Sequence, residues 1–103
     1  MTMAHDFEIE KIEDVDPLSL LDSENRLTDP IMTIYEFTRL IGRRDYQLRT
    51  GECEPLIDIG DEIDTLEIAR KELYAHVIPL VIRRTLPDGR SEWWKVSQLY
   101  IDN

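Results

Sequence analysis

The sequence predicts an α+β chain: a small domain of two main helices and a C-terminal β-hairpin over residues 31–103, preceded by a disordered acidic N-terminal tail over residues 1–30. Three observations carry this. Charge is uneven, since residues 1–30 hold nine acids against only Lys11 and Arg26, while residues 31–103 hold thirteen acids against ten bases. Two stretches open with helix-capping patterns. An apolar, β-branched run near the C-terminus is broken by Pro87-Asp88-Gly89, a turn signal between two strands.

The tail has no sustained apolar period, and a segment so rich in acids buries too little to offset its ordering entropy. Its one aromatic, Phe7, sits between Asp6 and Glu8. That makes Phe7 the docking candidate for a basic partner groove, against the plainer reading of a solvating tail.

Structure is expected to begin near Met32. Thr33 and Glu36 form a capping box, and Met32 and Phe37 fall where a hydrophobic staple needs them. The first helix then runs to Arg49 or Thr50, with Gly51 as the residue that ends it. Ile34, Phe37, Ile41 and Leu48 share a stripe at helical spacing. Asp45 interrupts that stripe, so an arginine partner or a solvent-facing gap is expected there. A second face carries Tyr35, Arg39, Gly42, Arg43, Tyr46 and Arg49. Glycine inside a helix costs ~1 kcal/mol against alanine and usually has a packing reason, which favours docking over a merely solvated face.

Residues 52–63 read as an acidic loop pinned by Leu56 and Ile57. Its Asp58, Asp61, Glu62 and Asp64 miss the spacing of a calcium loop. Asp64 and Glu67 repeat the capping box, and Ile63 and Ile68 the staple. The second helix is therefore expected from Thr65 to His76, with Leu66, Ala69, Leu73 and Val77 inward and Pro79 halting it. Leu80–Leu86 and Ser91–Val96 follow as the hairpin. Val96–Ile101 reads as a last helical turn packing Leu99 and Tyr100.

Several function classes drop out. A net charge of −10 opposes free-standing binding to nucleic acid or to an anionic membrane. No apolar run approaches the ~20 residues of a membrane helix, and Cys53 has no second cysteine to pair with; a soluble intracellular protein is expected. There is no glycine-rich phosphate loop and no Cys/His cluster, and His5 and His76 are the only histidines. No enzyme activity, cofactor or metal is therefore expected. The residues alone end at an acidic-tailed interaction module.

Three blocks then resemble one family. DPIMTIYEFTRLIGRRDYQL carries Met32-Thr33, Tyr35-Glu36, Ile41-Gly42, Arg44 and Gln47-Leu48. IDTLEIARKEL carries Ile68-Ala69 and Glu72-Leu73, and IPLVIRRTLPDGRSEWW carries Ile78-Pro79-Leu80, Ile82-Arg83-Arg84 and Leu86-Pro87-Asp88-Gly89. In order and at this spacing, from about Asp29 to Asp102, they resemble the omega-like small subunits of multisubunit RNA polymerases, namely the archaeal K subunit and the eukaryotic shared sixth subunit. The resemblance implies a non-catalytic subunit that clasps the largest polymerase subunit, promotes its assembly and supports the clamp base. Neighbouring subunits are further partners, nucleic acid is met only through the assembled complex, and the acidic tail is a docking site for a general transcription factor. It also implies a nuclear protein, or one of a viral replication compartment or virion if virus-encoded. The contacts it implies are Tyr35, Arg39, Gly42, Arg43, Arg44 and Gln47 on the first helix. To these it adds Pro79, Leu80, Arg83, Arg84, Leu86, Pro87, Asp88, Gly89 and Trp93 in the hairpin region, with Phe7 in the tail. Two departures stand out: Asp45 where the family usually has alanine, and Glu52-Cys53-Glu54-Pro55 in place of a small-residue step. The alternative reading is an independent regulatory adaptor of the same fold that binds basic proteins through its acidic tail.

Overall fold

The computed structural model describes residues 6–21 and 26–101. The parts of the predicted acidic tail at 1–5 and 22–25 lie outside the described residues.

The longest element, α2 (Ile34–Arg49), begins and ends where local chemistry puts it. The Thr33 hydroxyl accepts from the Glu36 N–H at 3.1 Å, and a Glu36 carboxylate oxygen accepts from the Thr33 N–H at 3.0 Å. Met32 is buried and Phe37 packs on the core, as a staple requires. At the other end Gly51 adopts φ +79°, a left-handed conformation that costs glycine little. In α3 (Thr65–Tyr74) the Asp64 carboxylate caps the Leu66 N–H at 3.0 Å. Glu67 turns instead to Arg70, 3.8 Å away. Ile63 is 91% exposed, so the expected staple is absent. The helix ends at Tyr74, two residues before the expected His76, which adopts φ 59° and turns the chain away.

β2 (Leu80–Thr85) and β3 (Ser91–Lys95) form the predicted hairpin, with Ile82 opposite Trp94 and the Leu86 N–H donating to the Arg90 carbonyl at 2.8 Å. The sheet has a third strand that the sequence reading placed in the tail. β1 (Asp6–Lys11) pairs antiparallel with β2 in the order β1-β2-β3, Ile9 opposite Ile82. Alternation explains it. Phe7 and Ile9 face the helices, while Asp6, Glu8 and Glu10 occupy the opposite face, where Asp6 and Glu8 stay exposed and Glu10 stands 3.8 Å from Arg83, so one strand face is buried without burying every acid. A 3-10 turn (Ile12–Asp14) and the short helix α1 (Pro17–Leu21) follow.

The core joins β1, β2 and β3 to α2 and α3 through Ile9, Leu40, Ile41, Ala69, Leu73, Ile82 and Trp94. Two predicted stripes are rotated. On α2, Ile34 is exposed and Leu40, Ile41, Arg44 and Gln47 are buried; on α3, Leu66 is exposed, as is Val77 beyond the helix end, and Ile68, Ala69, Glu72 and Leu73 are buried. The rotations bring Arg44 and Glu72 together inside the molecule. After β3 a 3-10 turn (Val96–Gln98) buries Val96 and Leu99, but Tyr100 is exposed; it is held through its backbone, with the Met32 N–H donating to its carbonyl at 2.9 Å. Among the described residues no helix is long and apolar enough to cross a membrane.

Candidate functional site

At about 100° per residue, Tyr35, Gly42 and Tyr46 fall within about 20° of one line along α2, and Arg44 lies diametrically opposite. The helix therefore has two functional sides.

The inner side is charged yet buried. Arg44 and Glu72 are 1% and 0% exposed and pair at 2.6 Å. The Arg44 guanidinium also donates to the Gln47 side chain (3.2 Å) and the Glu54 carbonyl (3.3 Å), and the Leu56 N–H donates to Glu72 (2.7 Å). The loop after α2 is thus pinned through its backbone; Leu56 itself is exposed, contrary to the expected apolar pin. At the other end of the helix Arg84 meets Glu36 in a two-point pair, 2.7 and 2.8 Å, with both side chains almost fully buried. Its remaining N–H groups donate to the Thr28 hydroxyl (3.1 Å) and to the carbonyls of Asp29 (2.6 Å) and Ile31 (2.8 Å), so every guanidinium donor is used. The Trp94 indole also donates to the Thr28 hydroxyl at 3.0 Å, and that hydroxyl donates onward to Glu92 at 2.6 Å. Glu92 accepts from the Leu27 and Thr28 N–H groups as well. Burial pushes the Glu92 carboxyl up, but the Thr28 hydroxyl and these two N–H groups outweigh it and hold the carboxyl below its ordinary value. Residues 27–31 form a strap locked onto the sheet.

The outer side is open. Tyr35 is 66% and Tyr46 53% exposed, and Gly42 is exposed between them. Among the described residues, a Cβ built on Gly42 would meet nothing within 4 Å. Packing among the described residues therefore gives no reason for glycine at this position. At the rim, Arg39 lies over the Phe7 ring at 5.4 Å, and Arg43 donates to the Ile9 carbonyl at 3.4 Å. Both cations help hold β1 while staying exposed.

The predicted contact residues thus separate. Tyr35, Arg39, Gly42, Arg43, Pro79, Pro87, Asp88 and Gly89 are exposed, and Arg83 and Trp93 are half-buried. Arg44, Gln47, Leu80, Arg84 and Leu86 are buried and serve the chain's own fold, because each charged or polar one among them is satisfied internally. Phe7 is half-buried and packs on the core, so it is not a free docking aromatic. Asp45 has its expected arginine: Arg49 stands 3.6 Å away, and the Thr65 hydroxyl donates to Asp45 at 2.6 Å. Sequence reasoning missed Glu36, Glu72, Glu92 and Thr28 as network residues; only the capping role of Glu36 was legible. Among the described residues no group of His, Cys, Asp and Glu is disposed to hold a metal ion.

Residues 26–80, just over half of the chain, match the RNA polymerase Rpb6 family. Subunit RPABC2 of DNA-directed RNA polymerases I, II and III from Saccharomyces cerevisiae is 44% identical over 82 residues, covering 80% of this chain and 52% of the relative. Its Schizosaccharomyces pombe counterpart is 46% identical over 76 residues, covering 74% and 53%. A probable RPABC2 of Caenorhabditis elegans is 39% identical over 92 residues, covering 89% and 66%. The chain spans about half the length of the yeast relatives it matches.

Proposed function

The chain belongs to the RNA polymerase Rpb6 family, and from that premise we propose that it is a non-catalytic subunit of a multisubunit DNA-dependent RNA polymerase acting in the nucleus. It clasps the largest subunit, promotes that subunit's assembly and supports the base of the clamp. It supplies no catalytic residue and meets nucleic acid only through the assembled enzyme. The relatives' identity as shared polymerase subunits supports the class of function. One observation supports the surface: α2 exposes two tyrosines around a glycine that nothing in the chain itself requires. We place the main contact there, with the exposed turn at Pro87-Asp88-Gly89 as a second. The inner arginines hold the α2 face in shape. The acids of the N-terminal segment are available to a basic transcription factor, through charge rather than through Phe7.

The experiment is purification of the polymerase from the source through a tagged largest subunit. This chain is expected one-to-one with that subunit in high salt, where contacts made only by exposed charge are screened. Release of the chain by salt would favour the acidic adaptor instead. Replacing both Tyr35 and Tyr46 with glutamate is expected to abolish incorporation while leaving the isolated chain folded. Undiminished co-purification of that variant would refute the α2 assignment.

A further inference from the structure

The side of α3 turned away from the core carries apolar side chains that nothing in the fold covers. Leu66 and Tyr74 are 45% and 43% exposed and fall within about 80° of one line along the helix. Ile63 extends that line beyond the N-terminus and is 91% exposed. A large apolar residue just before a helix cap ordinarily folds back on the first turn; Ile63 does not. Arg70, on the same line, is answered by Glu67 at 3.8 Å. The surface shares no residue with the α2 face proposed above.

The segment leading into this face is held in place. The Glu62 N–H donates to the Ile59 carbonyl at 2.9 Å, closing a turn in which Gly60 adopts φ +56°. The Gly60 N–H donates to the Asp58 carboxylate at 3.0 Å, and the Asp64 N–H to the Glu62 carboxylate at 3.0 Å. The exposure of Ile63 is thus set by a hydrogen-bonded backbone. The charge around it has one sign. Residues 51–67 hold seven acids and no base. Among the described residues, cations from elsewhere reach Glu52, Glu62 and Glu67, from Lys11, Lys71 and Arg70. Asp58, Asp61 and Asp64 are exposed and have no cation within ion-pair distance among the described residues. The N–H groups that Asp58 and Asp64 accept leave their charge in place.

We infer that this face binds a segment of a partner polypeptide in which a lysine or arginine adjoins a large aliphatic side chain. The aliphatic side chain covers Ile63 and Leu66, and the cation lies against Asp58 and Asp61. Charge complementarity selects this occupant. An acidic segment would meet three unanswered carboxylates, and a purely apolar one would strip their water without replacing it. The acids of β1 do not offer the same surface: Asp6 and Glu8 are exposed, but Phe7 and Ile9 pack inward and leave them no apolar floor.

The test uses the full ¹⁵N-labelled chain and, as probe, a blocked five-residue peptide alternating leucine and lysine. Saturating shifts are expected at the Gly60, Asp61, Ile63 and Leu66 amides, with affinity falling as salt rises. Ile63→Ser removes the apolar contact at an exposed position and is expected to weaken binding at least about tenfold. Asp58→Asn combined with Asp61→Asn is expected to weaken it about fivefold at low salt; the amide oxygen at position 58 still accepts from the Gly60 N–H, so the turn is kept. Asp6→Asn combined with Glu8→Gln is expected to change nothing here. Four results would overturn the inference: no shift at these amides with millimolar peptide, equal binding of a peptide with glutamine in place of lysine, undiminished binding to either loop variant, or shifts confined to residues 6–11.

Discussion

The two sides of α2 carry similar chemistry to opposite ends. The inner side holds Glu36, Arg44 and Gln47, every one buried and answered from within the chain. The outer side holds Tyr35, Gly42 and Tyr46, exposed and with no packing demand on the glycine. The inner side spends charge on holding loops. Arg84 reaches Glu36 and gathers the strap 27–31, while Arg44 reaches Glu72 and gathers the loop after α2. A small chain has little apolar surface to bury, and guanidinium groups that take backbone carbonyls order irregular segments that a core of this size cannot cover. Loss of an inner residue should therefore damage the fold, whereas loss of an outer one should damage only assembly.

The largest effect is expected at Arg84. Arg84→Met leaves the Glu36 carboxylate buried without its partner and strips the Thr28 hydroxyl and the Asp29 and Ile31 carbonyls of a donor. Breaking one side of a buried pair costs about 3–5 kcal/mol, a large share of the 5–15 kcal/mol typical of a whole domain. Urea denaturation should find the isolated variant largely unfolded. A variant that keeps wild-type stability would show that the strap does not depend on this network. Arg44→Met ranks next, at about 3 kcal/mol, because the Leu56 N–H still donates to the stranded Glu72 and the loop there is partly open to water. Equal losses at the two arginines would erase the distinction between a closed network and an open one.

Glu92 sharpens the comparison through pH. Its carboxyl titrates below the ordinary value in the folded chain, with the Thr28 hydroxyl and two strap N–H groups favouring the charged form over burial. Its contribution is therefore complete above the ordinary carboxylate range and is lost as pH falls through that range towards the lower folded value. Hydrogen exchange at the Leu27 and Thr28 amides is expected to accelerate on acidification before the core amides respond. Glu92→Gln should remove that early step, and a strap that loosens identically in this variant would assign the acid response to another group.

What was legible in the sequence follows the same division. Features made by neighbours in the chain were readable: the Thr33–Glu36 box, Gly51 at the end of α2 and the turn at Asp88-Gly89. The outer face of α2 was readable too, because helical spacing alone groups Tyr35, Gly42 and Tyr46. The buried charges were not. In a strand, consecutive residues face opposite ways, and nothing in Arg83-Arg84 says which one turns inward; the partner that decides it, Glu36, lies 48 positions away. β1 was missed because its acids suggested solvation. Its alternation of Phe7 and Ile9 with Asp6, Glu8 and Glu10 was the available signal, and pairing with β2 gives that alternation a buried side.

The smallest expected effect in energy separates the two sides most cleanly. Gly42→Ala adds a methyl group that meets nothing within the chain and removes the conformational freedom that glycine retains when unfolded. The isolated chain should therefore gain about 1 kcal/mol in stability, read as a higher Tm. On the inner side, every substitution that weakens the fold also weakens assembly, so the two cannot be told apart. At Gly42 they should move in opposite directions, because a partner that uses the bare backbone for close approach meets the new methyl group directly. A more stable chain that competes poorly with wild type for the largest subunit is the outcome the docking face requires. A more stable chain that is incorporated just as well would mean that Gly42 is a tolerated defect in α2, and that the partner lies against some other surface.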